Sequence, residues 1–432
     1  MRIWESLPVR PSTTLYDRVR IKSNLRKAWA KVRQKGLASK SYKTREETKT
    51  FELRSETHLN TIQKQLQKRK FAFSPAQGIA QPKPGKADKR PIVISQTRDR
   101  VVQRAILNVL QDHKPLGPFF QIETSFGGIK DRGVPDAMRM LHEEIGQGCT
   151  HFIRSDIKSF FTKIPKSEVT SKIDSVVDDV ELLNLFSNAI HTDLANLTSL
   201  SSEDRGLFPL FDVGVAQGSS LSPLAGNILL SDFDREMNQG DIRCIRYIDD
   251  FILLGPSEKA VNAAFRRAIK LLAEFDLEAY SPATNPDKAE SGSTSSMFTF
   301  LGCDVRPGMI QPGKKTRRRL LKNVQDTLNE SAAMMGKPDL VKQKRLSVIE
   351  TLISTNNIML GWGNQYAFCN SEQLMSELDL AVDSMISGYL SKYRNAHAKQ
   401  AKTDSKKHIR RLLGVHLLSD SKRTPIIQTS GS

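Results

Sequence analysis

Three aspartates in this 432-residue chain have the type and setting to do chemistry. Asp249 and Asp250 are adjacent in RCIRYIDDFILLG (243–255), and Asp156 follows the apolar Phe152 and Ile153 in HFIRSDIKSFFTKIP (151–165). Ile245, Ile248, Phe251, Ile252, Leu253 and Leu254 predict two short strands with the aspartate pair at the turn between them. Asp is common in turns because its carboxylate bonds the local backbone, so an ordinary hairpin is one reading. The other is a cluster of hard oxygen donors, with Asp156 at a strand's C-terminal end facing a hairpin that carries two more carboxylates. Mg²⁺ prefers such ligands. Two such ions ~3.5–4 Å apart can activate an attacking hydroxyl and stabilise a leaving pyrophosphate.

Three further stretches offer parts for the same site. Gln217-Gly218 in VAQGSSLSPLAGNILLSDFD (215–234) precedes a Ser/Pro turn and an apolar helix. Small residues at a helix start let a nucleotide come close to the backbone. The loop 83–90 in AQPKPGKADKRPIVIS carries Lys86, Lys89 and Arg90, cations able to hold a triphosphate. Lys288 lies in NPDKAE, ahead of FTFLGCDV (298–305). Each has a bland explanation when taken singly: a strand end, a solvated lysine face, a surface turn.

The elements that must position these residues are legible as patterns. Residues 150–305 alternate strands and helices. Before them, 24–36 reads as a helix with Leu25, Ala28, Trp29 and Val32 inward and Gly36 as its stop. A second helix over 58–71 buries Leu59, Ile62 and Leu66. A strand over 91–95 leads to a helix over 98–112 that turns Val101, Val102, Ala105, Ile106, Val109 and Leu110 inward. From 314 onward the pattern is helical. The first helix buries Leu320, Leu321, Val324 and Leu328 and shows Lys314, Lys315, Arg317, Arg318, Arg319 and Lys322, a cationic face suited to a nucleic-acid backbone. Two more follow near 340–360 and 373–393, and 395–411 is basic and weakly patterned.

Composition narrows the partner. Lys and Arg number 65 against 47 Asp and Glu, a net charge of +18, which favours a polyanion, nucleic acid before an anionic membrane. Cys149, Cys244, Cys303 and Cys369 lie far apart without a CxxC pair, which argues against a zinc site or disulfide framework and for reduced thiols in the cytoplasm. The N-terminus has no apolar signal core, and no apolar run approaches ~18 residues, so no membrane partner is expected.

In order and spacing, the set resembles the reverse transcriptases over roughly residues 20–395, most specifically in RYIDDF, SDIKSFF and AQGSSLSPLAGNILL. KRPIVISQTRDRVVQRAI is similar to the fingers of bacterial members. NLRKAWAKVRQKG and LGWGNQYAF (360–368) resemble the N-terminal extension and thumb of the group II intron-encoded branch. The resemblance implies an α+β right-hand polymerase with a ferredoxin-like palm, mixed fingers and an all-helical thumb. Residues 1–70 would be a basic helical extension, 71–310 fingers and palm, 311–395 the thumb and 396–432 a basic tail. It implies that Asp156, Asp249, Asp250 and the Ile157 carbonyl hold two Mg²⁺ ions, with Mn²⁺ as an alternative. Ser159, Phe160 and Phe161 would lie along the incoming nucleotide, Phe161 as the gate against a ribose 2′-hydroxyl. Gln217 would line the nucleotide, Arg90 with Lys86 or Lys89 would hold its triphosphate, and Lys288 would protonate pyrophosphate. Phe300, Leu301 and Gly302 would grip the primer. The implied partners are an RNA template, a DNA or RNA primer, and dNTPs.

The chain departs from the intron branch in two places. Ile248 stands where alanine is usual, and SFGGIKDRG (125–133) lacks the Phe and Arg of the usual Tyr-Gly-Phe-Arg. No zinc or HNH-type endonuclease tail is present in the sequence. Domesticated bacterial members, including retron and phage-defence types, drift in this way, so the first expectation is antiviral copying of a dedicated noncoding RNA. An intron-encoded enzyme is the second. A maturase-like RNA binder with a vestigial polymerase is an alternative from another class, against which retention of all three carboxylates argues. An RNA-templated RNA polymerase is disfavoured by the bulk of Phe161.

Overall fold

Phe152, Ile153 and Ser155 are buried in strand β3 (His151–Asp156), and five successive residues from Phe251 are buried in strand β5 (Asp250–Gly255). Such an apolar run marks a strand covered on both faces. In the computed structural model, which describes residues 13–82, 88–401 and 406–415, β3 and β5 are the central strands of a four-stranded antiparallel sheet. Its edges are β4 (Arg243–Tyr247) and β6 (Glu290–Ser293), in the order β4-β5-β3-β6. The helix Glu258–Ala273 packs on β3 and β5, burying Val261, Ala264, Phe265, Ala268 and Leu272, and the helix Val134–Gly146 packs on β4. Burying a side chain such as Phe265 or Leu272 contributes ~1.5–3 kcal/mol, so the sheet that carries the aspartates has a rigid floor.

A second pair of strands, β1 (Gln77–Pro82) and β2 (Lys89–Ile94), forms an antiparallel hairpin. The helix Thr97–Gln111 follows, buried along most of its length, and the N-terminal helix Lys22–Leu37 packs on it. Leu25, Ala28, Trp29 and Val32 face inward there, as the periodicity predicts, and so do Leu59, Ile62 and Leu66 in Ser55–Gln67. Gly36 is not the helix stop. It is buried one residue before the end, where a Cβ would collide with the Thr48 side chain, so the glycine serves a close helix crossing.

These elements belong to one unit, Met1–Thr294, and Ser295–Ser432 forms another. The second unit opens with an antiparallel meander, β7 (Phe298–Phe300), β8 (Cys303–Arg306) and β9 (Met309–Pro312). Every described element after it is helical, from Lys314–Met334 to Lys406–Leu413. Leu320, Val324, Leu328, Leu374, Leu378, Val382 and Tyr389 form the core of this unit. The long helix starting at Glu372 continues to Ala401, because the alanine-bearing stretch beyond Arg394 favours helix despite its charge. With antiparallel sheets and helices packed against them, the chain is α+β.

Candidate active site

The β3–β5 register sets Asp156 directly opposite Asp250. Tyr247 pairs with Asp250 across β4 and β5, leaving Ile248 and Asp249 as a two-residue turn. Asp249 is thus in the turn, as its sequence context predicts, whereas Asp250 is the first residue of the returning strand. The Ile157 N–H donates to the Asp249 carbonyl at 3.0 Å, which ties the end of β3 to the turn. Asp156 and the adjacent pair Asp249-Asp250, remote from it in sequence, thereby share one end of one sheet.

Their electrostatics follow from crowding. Burial, then the charge of Asp156, raises the Asp249 pKa to about 6. Burial, then the charges of Asp156 and Asp249, raises that of Asp250 to about 7. Asp250 is open to water on one side, which screens part of its repulsion, so the rise weighs most on Asp249. Lys288 donates a hydrogen bond to Asp156 from a turn in which its own N–H bonds the Asn285 carbonyl. Burial opposes the Lys288 charge, but the hydrogen bond and charge of Asp156 outweigh it and hold its pKa above the usual lysine value. Among the described residues, no three His, Cys, Asp or Glu side chains are gathered as a closed metal-ligand set. The chemistry of the donors nevertheless fits a hard divalent cation: carboxylate oxygens that repel one another are relieved by one.

Two contributors near the aspartates were not anticipated from sequence. The Tyr280 ring meets two ammonium groups, Lys158 Nζ at 5.4 Å and Lys288 Nζ at 5.3 Å from its centre. Its N–H donates to the Asp156 carbonyl at 3.1 Å. Its place in DLEAYSPAT gives no hint of this, because the contact spans more than a hundred residues. Arg246 is fully buried beneath the turn, and its only sequence signal is a charge inside an apolar strand.

The remaining expected residues divide. Ser159 is exposed, with φ 51°, at the start of the short helix Phe160–Lys163. Phe161 is half-buried and near Asp156 in sequence, with its ring 5.5 Å from that of Phe160. Phe160 itself is corrected: it is a core residue at 2% exposure, and a Cβ on Gly226 would lie 2.7 Å from its ring. A side chain so enclosed cannot line a nucleotide; the helical turn points it inward and leaves Phe161 at the surface. Gln217 accepts a hydrogen bond from the Val93 N–H at 3.0 Å through its carbonyl, so it is anchored beside β2. Gly218, at φ 119°, approaches protein backbone there: a Cβ would lie 2.9 Å from the Val93 carbonyl oxygen. Lys89 is held by Asp204 at 2.8 Å, and Arg90, its neighbour on β2, is exposed on the opposite face. Lys86 lies outside the described residues.

In the second unit, Leu301 and Gly302 form the β7–β8 turn, both at positive φ, while Phe300 is buried. Lys314, Lys315, Arg318, Arg319 and Lys322 are exposed on one side of their helix, Lys322 pairing with Asp326. Arg317 is a correction to that face. It is three, seven and eleven residues before Leu320, Val324 and Leu328, which puts it on the buried side, where it pairs with Asp304 at 3.3 Å. All four cysteines are free, and three are buried. No helix among the described residues is long and apolar enough to cross a membrane.

Residues 81–305, more than half of the chain, match the family described as reverse transcriptase (RNA-dependent DNA polymerase). A 91 kDa protein in the cob intron of Schizosaccharomyces pombe is 29% identical over 178 residues, 41% of this chain and 20% of that protein. Protein YkfC of Escherichia coli is 26% identical over 250 residues, 49% of this chain and 62% of YkfC. The chain therefore spans less than two thirds of either relative. Among solved structures, apo telomerase from Candida tropicalis is similar with a TM-score of 0.42 at 13% identity, covering 79% of this chain and 69% of the telomerase chain.

Proposed function

The chain belongs to the reverse transcriptase family, and from that premise we propose that it is an RNA-directed DNA polymerase extending a primer along an RNA template. The observation that carries the reading is the register that sets Asp156 opposite Asp250 with Asp249 in the adjoining turn. Two Mg²⁺ ions, held by Asp156, Asp249, Asp250 and the Ile157 carbonyl, would activate the primer hydroxyl and offset charge on the leaving pyrophosphate. The chain's own residues orient the reactants. Phe161 closes the space beside the sugar against a 2′-hydroxyl, and Gln217 and Arg90 orient the nucleotide and its triphosphate. Lys288, which keeps its proton, supplies it to the pyrophosphate. Rate then comes from positioning and charge. Primer extension tests this: Asp249→Ala with Asp250→Ala should abolish Mg²⁺-dependent incorporation in a folded protein, and wild-type incorporation by that variant would refute it.

For the biological role, we propose copying of a dedicated structured noncoding RNA in defence against phage. The departures at Ile248 and at residues 125–133 support it. Likeness to a protein named for its place in the cob intron supports an intron-encoded enzyme as the second reading. Sequencing the RNA that co-purifies with the protein separates the two: an adjacent structured RNA favours defence, and a flanking intron favours mobility.

A further inference from the structure

Resting on that polymerase reading, we propose that Arg246 is a positioning residue for Asp249, holding the turn that aims its carboxylate at Asp156. Arg246 and Asp234 are 0% and 1% exposed. A charge so far from water persists only if fully partnered, and this one is. Its Nε and Nη2 donate to the two Asp234 oxygens at 2.7 and 2.5 Å, and Nη2 donates to Ser125 Oγ at 3.0 Å. Nη1 donates to Asn227 Oδ1 at 3.0 Å and to the Ile248 carbonyl at 2.9 Å. The bidentate pair fixes the plane of the guanidinium and hence the direction of Nη1.

The bond to Ile248 acts on the site. Ile248 has φ 64°, while Asp249, the second turn residue, is not at positive φ. That is the type II′ hairpin pattern, whose first turn position glycine ordinarily fills. A β-branched residue there is an outlier that the surroundings must hold. Arg246 holds its carbonyl, and Gly127 leaves room for its side chain: a Cβ on Gly127 would lie 2.5 Å from Ile248 Cγ1 and 2.8 Å from its N. Asn227 Nδ2 donates to the Gly127 carbonyl at 2.8 Å, so one network fixes the turn and the wall beside it. Were Ile248 to relax to negative φ, the next residue, Asp249, would turn off its line to Asp156.

Arg246→Lys keeps the charge and loses the fork. Primer extension over a Mg²⁺ series, duplex binding and thermal unfolding are measured together. We expect kcat to fall about tenfold or more, because a small misplacement is expensive in rate. Half-saturating Mg²⁺ should rise several-fold while duplex affinity is unchanged. The double variant Arg246→Lys/Ile248→Gly should recover most of the loss, since glycine takes positive φ unaided; a general loss of stability would not be restored in this way. If Arg246→Lys does not fold, Asn227→Ala, which keeps the Asp234 pair, should shift kcat and Mg²⁺ dependence the same way by roughly threefold. A folded variant with wild-type kcat and Mg²⁺ dependence, or a loss that Ile248→Gly cannot restore, overturns the proposal. A wild-type protein without templated incorporation overturns the polymerase reading instead.

Discussion

Lys288 pairs with Asp156, so the carboxylate cluster already holds one positive charge of the protein's own. Tyr280 supports that lysine from the side, and the pair raises the lysine pKa. A protonated amine beside the reacting centre can both balance charge and give up a proton, and two substitutions separate the roles. Lys288→Ala should lower kcat by about 10²-fold with duplex affinity unchanged. Lys288→Arg restores the charge but does not release a proton, so its kcat should stay low. Single-turnover incorporation measures both, and a fully active Arg variant would reduce the role to charge balance.

The raised carboxylates set a pH dependence of stability. In the folded protein Asp249 and Asp250 hold protons that the unfolded chain releases near pH 3.8. The folded state therefore binds more protons between about pH 4 and 7, and stability from this pair falls as pH rises through that window. With chelator present, Asp249→Asn/Asp250→Asn should melt several degrees above wild type at pH 8 and level with it near pH 4. A variant that melts below wild type at pH 8 would mean that the pair is not in mutual repulsion.

Phe161→Ala should admit ribonucleotides. The ring is half-buried five residues after Asp156, and alanine would open the space it fills. The ratio of dNTP to rNTP incorporation should fall at least about tenfold if the ring is the gate, since one steric contact decides discrimination of that order. An unchanged ratio makes Phe161 a packing residue.

In the helical unit, Lys315, Arg318 and Arg319 changed to Gln should weaken duplex binding and flatten its salt dependence by up to about three phosphate contacts, near 0.9 each in log–log slope. Arg317→Gln is the internal control. Its partner is Asp304, so it should lower stability and leave the slope alone. Nucleotide choice should not change in either variant, because phosphate contacts carry no base information. Titrations at several salt concentrations decide; a triple variant with the wild-type slope leaves these cations as solvated surface.

The parts legible in sequence were those that repeat with a period or cluster within a few residues. The inner faces around Leu25, Leu59 and Leu320 follow from helical spacing, and Asp249-Asp250 stands out as paired acid in an apolar run. Neighbour relations across the fold were harder. Phe160 and Phe161 are adjacent and chemically identical, and only the turn at Ser159 decides which is buried. Arg317 looks like its neighbours Arg318 and Arg319 until the helix phase is set by the core. Gly36 reads as a helix stop because a stop is glycine's commonest role near a helix end, but contact with Thr48 won here. Tyr280 meets Asp156 across more than a hundred residues, and Arg246, two residues before Ile248, is held by Asp234, Asn227 and Ser125 on other segments, so no local pattern encodes either.

Gly127, Gly128 and Ile248 carry an evolutionary consequence. Gly128, at φ 73°, would bring a Cβ against Pro223 and within 3.3 Å of Ile248 Cδ1, and Gly127 touches the Ile248 backbone. The constraint between the aspartate box and the glycine pair is therefore one-sided. A Cβ at 127 would meet the backbone of residues 247 and 248 whatever side chain stands at 248, and a Cβ at 128 would meet Pro223, so both glycines are required by the turn itself. Position 248 is the freer partner: lineages or engineered libraries can vary the second letter of the box while the glycines stay fixed.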